Sequence, residues 1–233
     1  VSYTGLNCID TYSYEPVKHL QLEGYDFCGL IYDESQGNLI IGETQYDRIL
    51  FVDEKSLKVE ETIAFTDKCS YFCKEYHHVN DLVNIGNYIL ASVFSVHGWW
   101  RYGLYDGGVI EINKQTHEMR QIPIKECWFP HSLKLHEGRL YILDSMNGTL
   151  LQDMRDNIFD VDGFLRGLEF NGDYCYIGQS LHRHVSRLND RRIVSADSGI
   201  HIFNMQTRLR RFISLPELTN IYQIAVVNPD QLQ

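Results

Sequence analysis

Residues able to do acid–base or metal chemistry gather in short blocks. "HVND" (78–81) supplies His78, Asn80 and Asp81; "PHS" (130–132) supplies His131 and Ser132; "RGL" (166–168) supplies Arg166. Two or three neutral imidazoles with a carboxylate can hold a divalent metal and leave a position open for a substrate oxygen or water. His78 and His131 are the expected ligands, with His182, Asp81 or Asp144 as the third. Without a metal the same set reads as proton transfer. A histidine titrating near neutrality takes or gives the proton, and Arg166 fixes a carboxylate or an enolate-like charge. Both readings take His78, His131, Asp81 and Arg166 as the catalytic set. Ser132 lacks a G-x-S-x-G elbow, and neighbours on a strand point to opposite faces, so His131 is not expected to activate it.

Substrate contacts are expected from Asn80, Ser132, Gln179, Arg183, Trp99, Trp100 and Gln223. "HGWWRYGLYDGG" (97–108) carries Trp99, Trp100, Tyr102 and Tyr105. Aromatic faces beside polar groups suit a sugar ring or a partner protein, and equally a packed lid. "HRHVSRLNDRR" (182–192), with Arg183, is either an anion-attracting lip or a solvated loop. "DVDGFLRGLE" (160–169) has calcium-loop spacing at Asp160 and Asp162, but it runs into a strand and is not an EF-hand.

These blocks need elements to position them, and the sequence repeats one. An apolar strand, a short Gly or Asn turn and a second apolar strand recur in "CGLIYDESQGNLIIGE", "NDLVNIGNYILASV", "HSLKLHEGRLYILDS" and "RGLEFNGDYCYIGQS". "YQIAVVNPDQLQ" begins a fifth copy. The aligned apolar positions are Leu30, Leu82, Leu133, Leu168 and Ile224. Further strands follow, as in "DRILFVDEKSLKVEETIAF" and "GIHIFNMQTRLRRFISL". Four strands per unit at such a period signal an all-β propeller. The expectation is one domain over 1–233 with five blades, the two chain ends sharing one blade to close the ring. In a blade the start of the first strand and the end of the second lie together. His131, Ser132 and their counterparts would then meet Glu43, Ser92, Asp144 and Gln179 at one end of a central channel.

"HVND", "DGGVIEIN" (106–113), "PHSLKLHEGRLYILDS" (130–145) and "GFLRGLEFNGDYCYIGQS" (163–180) also resemble, in this order, the signature blocks of an uncharacterised bacterial family, a domain of unknown function. The resemblance covers residues 75–227. It implies a propeller-like fold, a site around His78, Asn80, Asp81, His131, Ser132 and Arg166, and no established reaction.

Composition narrows the partners. Lys and Arg total 21 against 31 Asp and Glu, a net charge of -10. Phosphate contacts need the opposite balance, so neither nucleic acid nor an anionic membrane is an expected partner. No apolar run approaches membrane-helix length, and the N-terminus has no signal-peptide pattern. Six cysteines without framework spacing read as reduced thiols of a cytoplasmic protein. The expected function is a small-molecule enzyme, a lyase, isomerase or hydrolase on a sugar-like or carboxylated substrate. A divalent metal is its one candidate cofactor, and no nucleotide cofactor is expected. The alternative is a non-catalytic propeller that binds a glycan or protein through its aromatic rim.

Overall fold

The runs "LIIG", "ILFV" and "YILASV" are apolar without alternation, as strands covered on both faces must be. In the computed structural model, which describes residues 5–9, 15–22, 26–66, 75–123, 126–182, 195 and 197–227, these runs form the middle strands of four-stranded antiparallel sheets. The described residues contain no α-helix, only a single 3-10 turn at Trp100–Tyr102. The chain falls into two compact units, Val1–Ile122 with Val227–Gln233, and Pro123–Val226.

The first unit holds a hairpin, β1 (Gly5–Ile9) and β2 (Pro16–Gln21), and two blades. One blade is β3 (Phe27–Asp33), β4 (Asn38–Glu43), β5 (Arg48–Asp53) and β6 (Val59–Ala64). The other is β7 (Val79–Ile85), β8 (Tyr88–Val93), β9 (Gly108–Asn113) and β10 (Met119–Gln121). Period-two alternation decides which neighbour each side chain meets. Ile40, Ile49, Phe51 and Ile63 pack against Val79, Leu82, Ile89 and Ile110 of the second blade. Ile41, Leu50 and Val52 point the other way and are covered by Leu20 of β2 and Leu22 just after it. At 20–33 cal/mol per Å² of apolar surface, these two faces are the main source of the unit's stability.

The second unit repeats the scheme. Its blades are β11 (Pro130–His136), β12 (Arg139–Asp144), β13 (Thr149–Gln152) and β14 (Asp156–Asp160), then β15 (Phe164–Asn171), β16 (Tyr174–Ser180), β17 (Gly199–Asn204) and β18 (Arg210–Ser214). Tyr141, Leu143, Leu150 and Phe159 meet Leu165, Leu168, Cys175 and Ile177 between them. The outer strand β14 is finished by its neighbour: Arg208 and Arg210 donate to the carbonyls of Ile158 and Asp160 at 3.0 and 2.9 Å.

A bulge at the head of each first strand lets adjacent blades touch backbone to backbone. The register shifts between Cys28 and Leu30, and again between Leu165 and Leu168. Gly29 (φ +70°) lies so close to the next first strand that a Cβ there would stand 2.9 Å from the Asp81 Cα. In two blades a hydroxyl at the end of the second strand clamps the same joint. Thr44 Oγ1 donates to the Val79 carbonyl at 2.6 Å, and Ser180 Oγ donates to that of Ile221 at 3.2 Å.

This joint explains the one correction to the blade count. The described residues form four four-stranded blades, not five closed by shared terminal strands. Among them, β1 and β2 pair only with each other, and 221–227 join no ladder. Yet Gln223 and Ile224 lie against Gly167 (φ +79°) just as Asp81 and Leu82 lie against Gly29. The segment occupies a first-strand position without strand partners, which is why its sequence aligns with true first strands.

Candidate functional site

In the first unit the site begins with a buried carboxylate in the β4–β5 turn. Asp47 is wholly buried and accepts the backbone N–H groups of Tyr76, His77 and His78, the last two at 2.6 and 2.9 Å. It also faces His77 Nδ1 at 3.3 Å. Three successive amides held by one carboxylate fix the backbone leading into β7. They let His78 adopt φ +57° and present its ring.

That ring is the centre of a packed, polar-edged cluster. His78 Nδ1 lies 2.9 Å from Glu75 Oε2. Its face stacks on Phe94 at 4.0 Å and 16°, and Trp100 stands 5.0 Å away. Trp100 Nε1–H donates to Glu75 Oε1 at 3.1 Å, and Arg101 Nε–H donates to the Glu75 carbonyl at 2.9 Å. Burial pushes the Glu75 carboxyl upward, but the bonds from His78 and Trp100 and the charges of His78 and Arg101 outweigh it, so it rests below the usual range. An ionised carboxylate only accepts. In the neutral imidazole, Nδ1 therefore carries the proton and Nε2 keeps the lone pair.

The other expected residues of this unit have definite tasks. The Asp81 carboxylate accepts from the Leu82 amide at 2.9 Å, while the Asp81 amide donates to Ser92 Oγ at 3.0 Å. Asn80 is buried at the bulge. Trp99 is 44% exposed and stacks on His97 at 4.6 Å. His97 in turn pairs with Asp106 at 2.5 Å.

The second unit gathers its own set. His131 is buried, with Nδ1 2.9 Å from the Phe129 carbonyl and 2.7 Å from Ser145 Oγ. Ser132 (φ +54°) spends its hydroxyl accepting the Gly167 amide at 2.8 Å. Phe164 lies against both His131 and His182, with centroids 5.6 and 5.4 Å away, and burial lowers the His182 pKa. The Arg166 guanidinium sits 4.1 Å over the Tyr222 ring. Gln179 bonds Ser195, the Asp197 carbonyl and His201. Gln223 is exposed. Arg183 and His184 lie outside the described residues, as do Cys69 and Cys73; the four described cysteines are free thiols.

The structure thus joins His78 with Trp100 and sets Ser132 against the Arg166–Gly167 bulge, while His78 and His131 belong to different units. Among the described residues no three His, Cys, Asp or Glu side chains converge closely enough to hold a metal ion. Sequence reasoning missed Glu75, Phe94 and Asp47. Glu75 had a signal, a carboxylate three residues before His78 in "EYHHVND"; Asp47, 31 residues from His78, had none.

A family model described as a domain of unknown function (DUF4915) matches residues 77–231. A search of curated proteins finds no match. Among solved structures the chain is similar to a luciferin-regenerating enzyme, at TM-score 0.67 and 8% identity over 97% of this chain and 74% of that one. It is also similar to a putative gluconolactonase, at 0.58 and 16% over 87% and 67%. A third likeness is to the dihydro-heme d1 dehydrogenase NirN in complex with DHE, at 0.52 and 11% over 92% of this chain but only 42% of that one. At these identities the likeness shows the fold, an all-β propeller type. No described helix is long and apolar enough to cross a membrane.

Proposed function

This chain belongs to the DUF4915 family, a domain of unknown function, and on that premise we propose that it is a small-molecule enzyme whose acid–base centre is the His78–Glu75 pair. The observation that carries the reading is the 2.9 Å bond between His78 Nδ1 and Glu75 Oε2. A partly buried, ionised carboxylate orients the ring and stabilises the imidazolium that forms when Nε2 takes a proton. The step serves a hydrolase, which takes the proton from water, and a lyase or isomerase, which takes it from carbon beside a carbonyl or carboxylate. Two similar structures, a luciferin-regenerating enzyme and a putative gluconolactonase, lend the hydrolase form support at the level of fold alone. In that form hydroxide adds to a lactone carbonyl, the ring C–O bond breaks, and the imidazolium returns its proton to the leaving oxygen. Trp100 and the half-exposed Trp99 supply flat faces for a sugar-like ring, with Asn80 and Asp81 as further contacts.

The test is proton release from a panel of sugar lactones, together with deuterium uptake by sugar acids in D2O, for the wild type and His78→Ala. Turnover falling at least 100-fold in the variant, with folding intact, is the expected result. Equal rates in both proteins, or neither reaction in the wild type, would overturn the enzyme reading. The second reading, a glycan-binding propeller, is favoured by the exposure of Trp99 and of Tyr102, which is 71% exposed. It expects Trp99→Ala to abolish glycan binding and His78→Ala to spare it.

A further inference from the structure

The second unit contains a cavity of about 490 Å³ that shares no residue with the His78–Glu75 pair. Its described lining includes Asp160, Asp162, Asp197, His201, Arg210 and Phe212. Three carboxylates face one guanidinium, and that guanidinium is turned onto the backbone, where Arg210 donates to the Asp160 carbonyl at 2.9 Å. None of the three carboxylates takes part in a hydrogen bond or ion pair among the described residues, so the described wall is net negative, three carboxylates to one guanidinium.

His201 gives the second, independent indication. It is only 7% exposed, and its ring is held between Phe159 and Phe212 at 5.3 and 4.6 Å. The hydrogen-bond chain fixes its tautomer. Gln179 Nε2 donates to the Asp197 carbonyl at 2.7 Å, so its Oε1 is the atom facing His201 Nε2 at 3.0 Å. An amide oxygen can only accept, which puts the proton on Nε2 and leaves the Nδ1 lone pair unpartnered among the described residues. Burial, aided by the Arg210 charge, pushes the pKa down to about 4, so at neutral pH the ring stays uncharged and Nδ1 stays an acceptor.

An acceptor-rich, negative wall asks for a ligand rich in donors and positively charged. Among the described residues no three metal-binding side chains converge on one point, which fits a bulky cation better than a metal ion. Phe212, 37% exposed, offers an apolar face of the kind that stacks on the C–H side of a sugar ring. The volume falls in the range of small-molecule sites. From this arrangement we infer that the cavity is a binding site for a polyhydroxylated cation of monosaccharide size, an amino sugar, with the ammonium among Asp160, Asp162 and Asp197, the ring on Phe212 and a hydroxyl donating to His201 Nδ1.

Calorimetric titration of the full chain at pH 7 with glucosamine, glucose and gluconate tests it. Glucosamine should bind at least ten-fold more tightly than glucose, and gluconate should not bind. Asp162→Asn, a change at an exposed position, should weaken glucosamine at least five-fold without weakening glucose, and Phe212→Ala should weaken both sugars. Equal affinity for glucosamine and glucose, preference for gluconate, no binding of glucosamine, or glucosamine binding indifferent to Asp162→Asn and Phe212→Ala would each overturn the assignment.

Discussion

At the scale of single residues, the most informative group is one that carries no chemistry alone. Glu75 holds the His78 tautomer, anchors Trp100 and takes the Arg101 side chain on its backbone carbonyl, so it is a positioning residue. Glu75→Gln keeps its size and an acceptor oxygen but removes the charge that stabilises an imidazolium. The expected outcome is a ten- to hundred-fold loss in kcat with little change in KM, and a shift of the acid limb of the pH–rate profile to lower pH. A KM effect alone would assign Glu75 a purely structural role. His78 stood out in the sequence because histidine beside Asn and Asp at a strand head is chemically conspicuous. Asp47 did not, because its work is to bind amides of a segment distant in sequence, and no local pattern records such a pairing. Ser132 was legible as a polar residue in an unusual place, but the reason is a joint between blades: its hydroxyl receives the Gly167 amide.

At the scale of elements, the joint between first strands is the recurring device, and glycine makes it possible. Gly29 has φ +70° and no room for a Cβ, whereas Gly86, at φ +57°, has nothing within 4 Å. Gly86→Ala should cost only the left-handed strain, about 1 kcal/mol. Gly29→Ala adds a backbone clash with Asp81 and should cost about 3 kcal/mol or more. Urea unfolding of the two variants distinguishes them, and equal midpoints would mean that the joint yields freely. Strands were legible because covered sheets demand continuous apolar runs, and the second-strand ends fell beside the first-strand starts as expected, with Phe27 opposite Glu43 and Pro130 opposite Asp144. The fifth blade was overcounted because the sequence registers what packs against a neighbour. Ile224 packs like Leu82, and the absence of ladder partners leaves no mark on its own side chain.

At the scale of the whole molecule, buried histidine ties stability to pH. His201 titrates near 6.5 when unfolded and at about 4 when folded, so between those values the unfolded chain binds more protons. Stability from this residue is therefore fully present above pH 6.5 and drains away as pH falls towards 4. The denaturation midpoint should drop across that window in the wild type and drop less in His201→Asn. Parallel curves would show that another group carries the dependence.

The arginines that finish β14 have a consequence beyond the fold. The outermost strand of a blade is a ready template for a stray strand of another molecule, and proteins that leave such templates bare tend towards fibrils. Here two carbonyls of that strand, at Ile158 and Asp160, are already occupied by guanidinium groups. An incoming strand would have to evict two charged donors before it could zip on. The same two side chains thus act as a guard against self-assembly, placed where the sheet would otherwise keep growing.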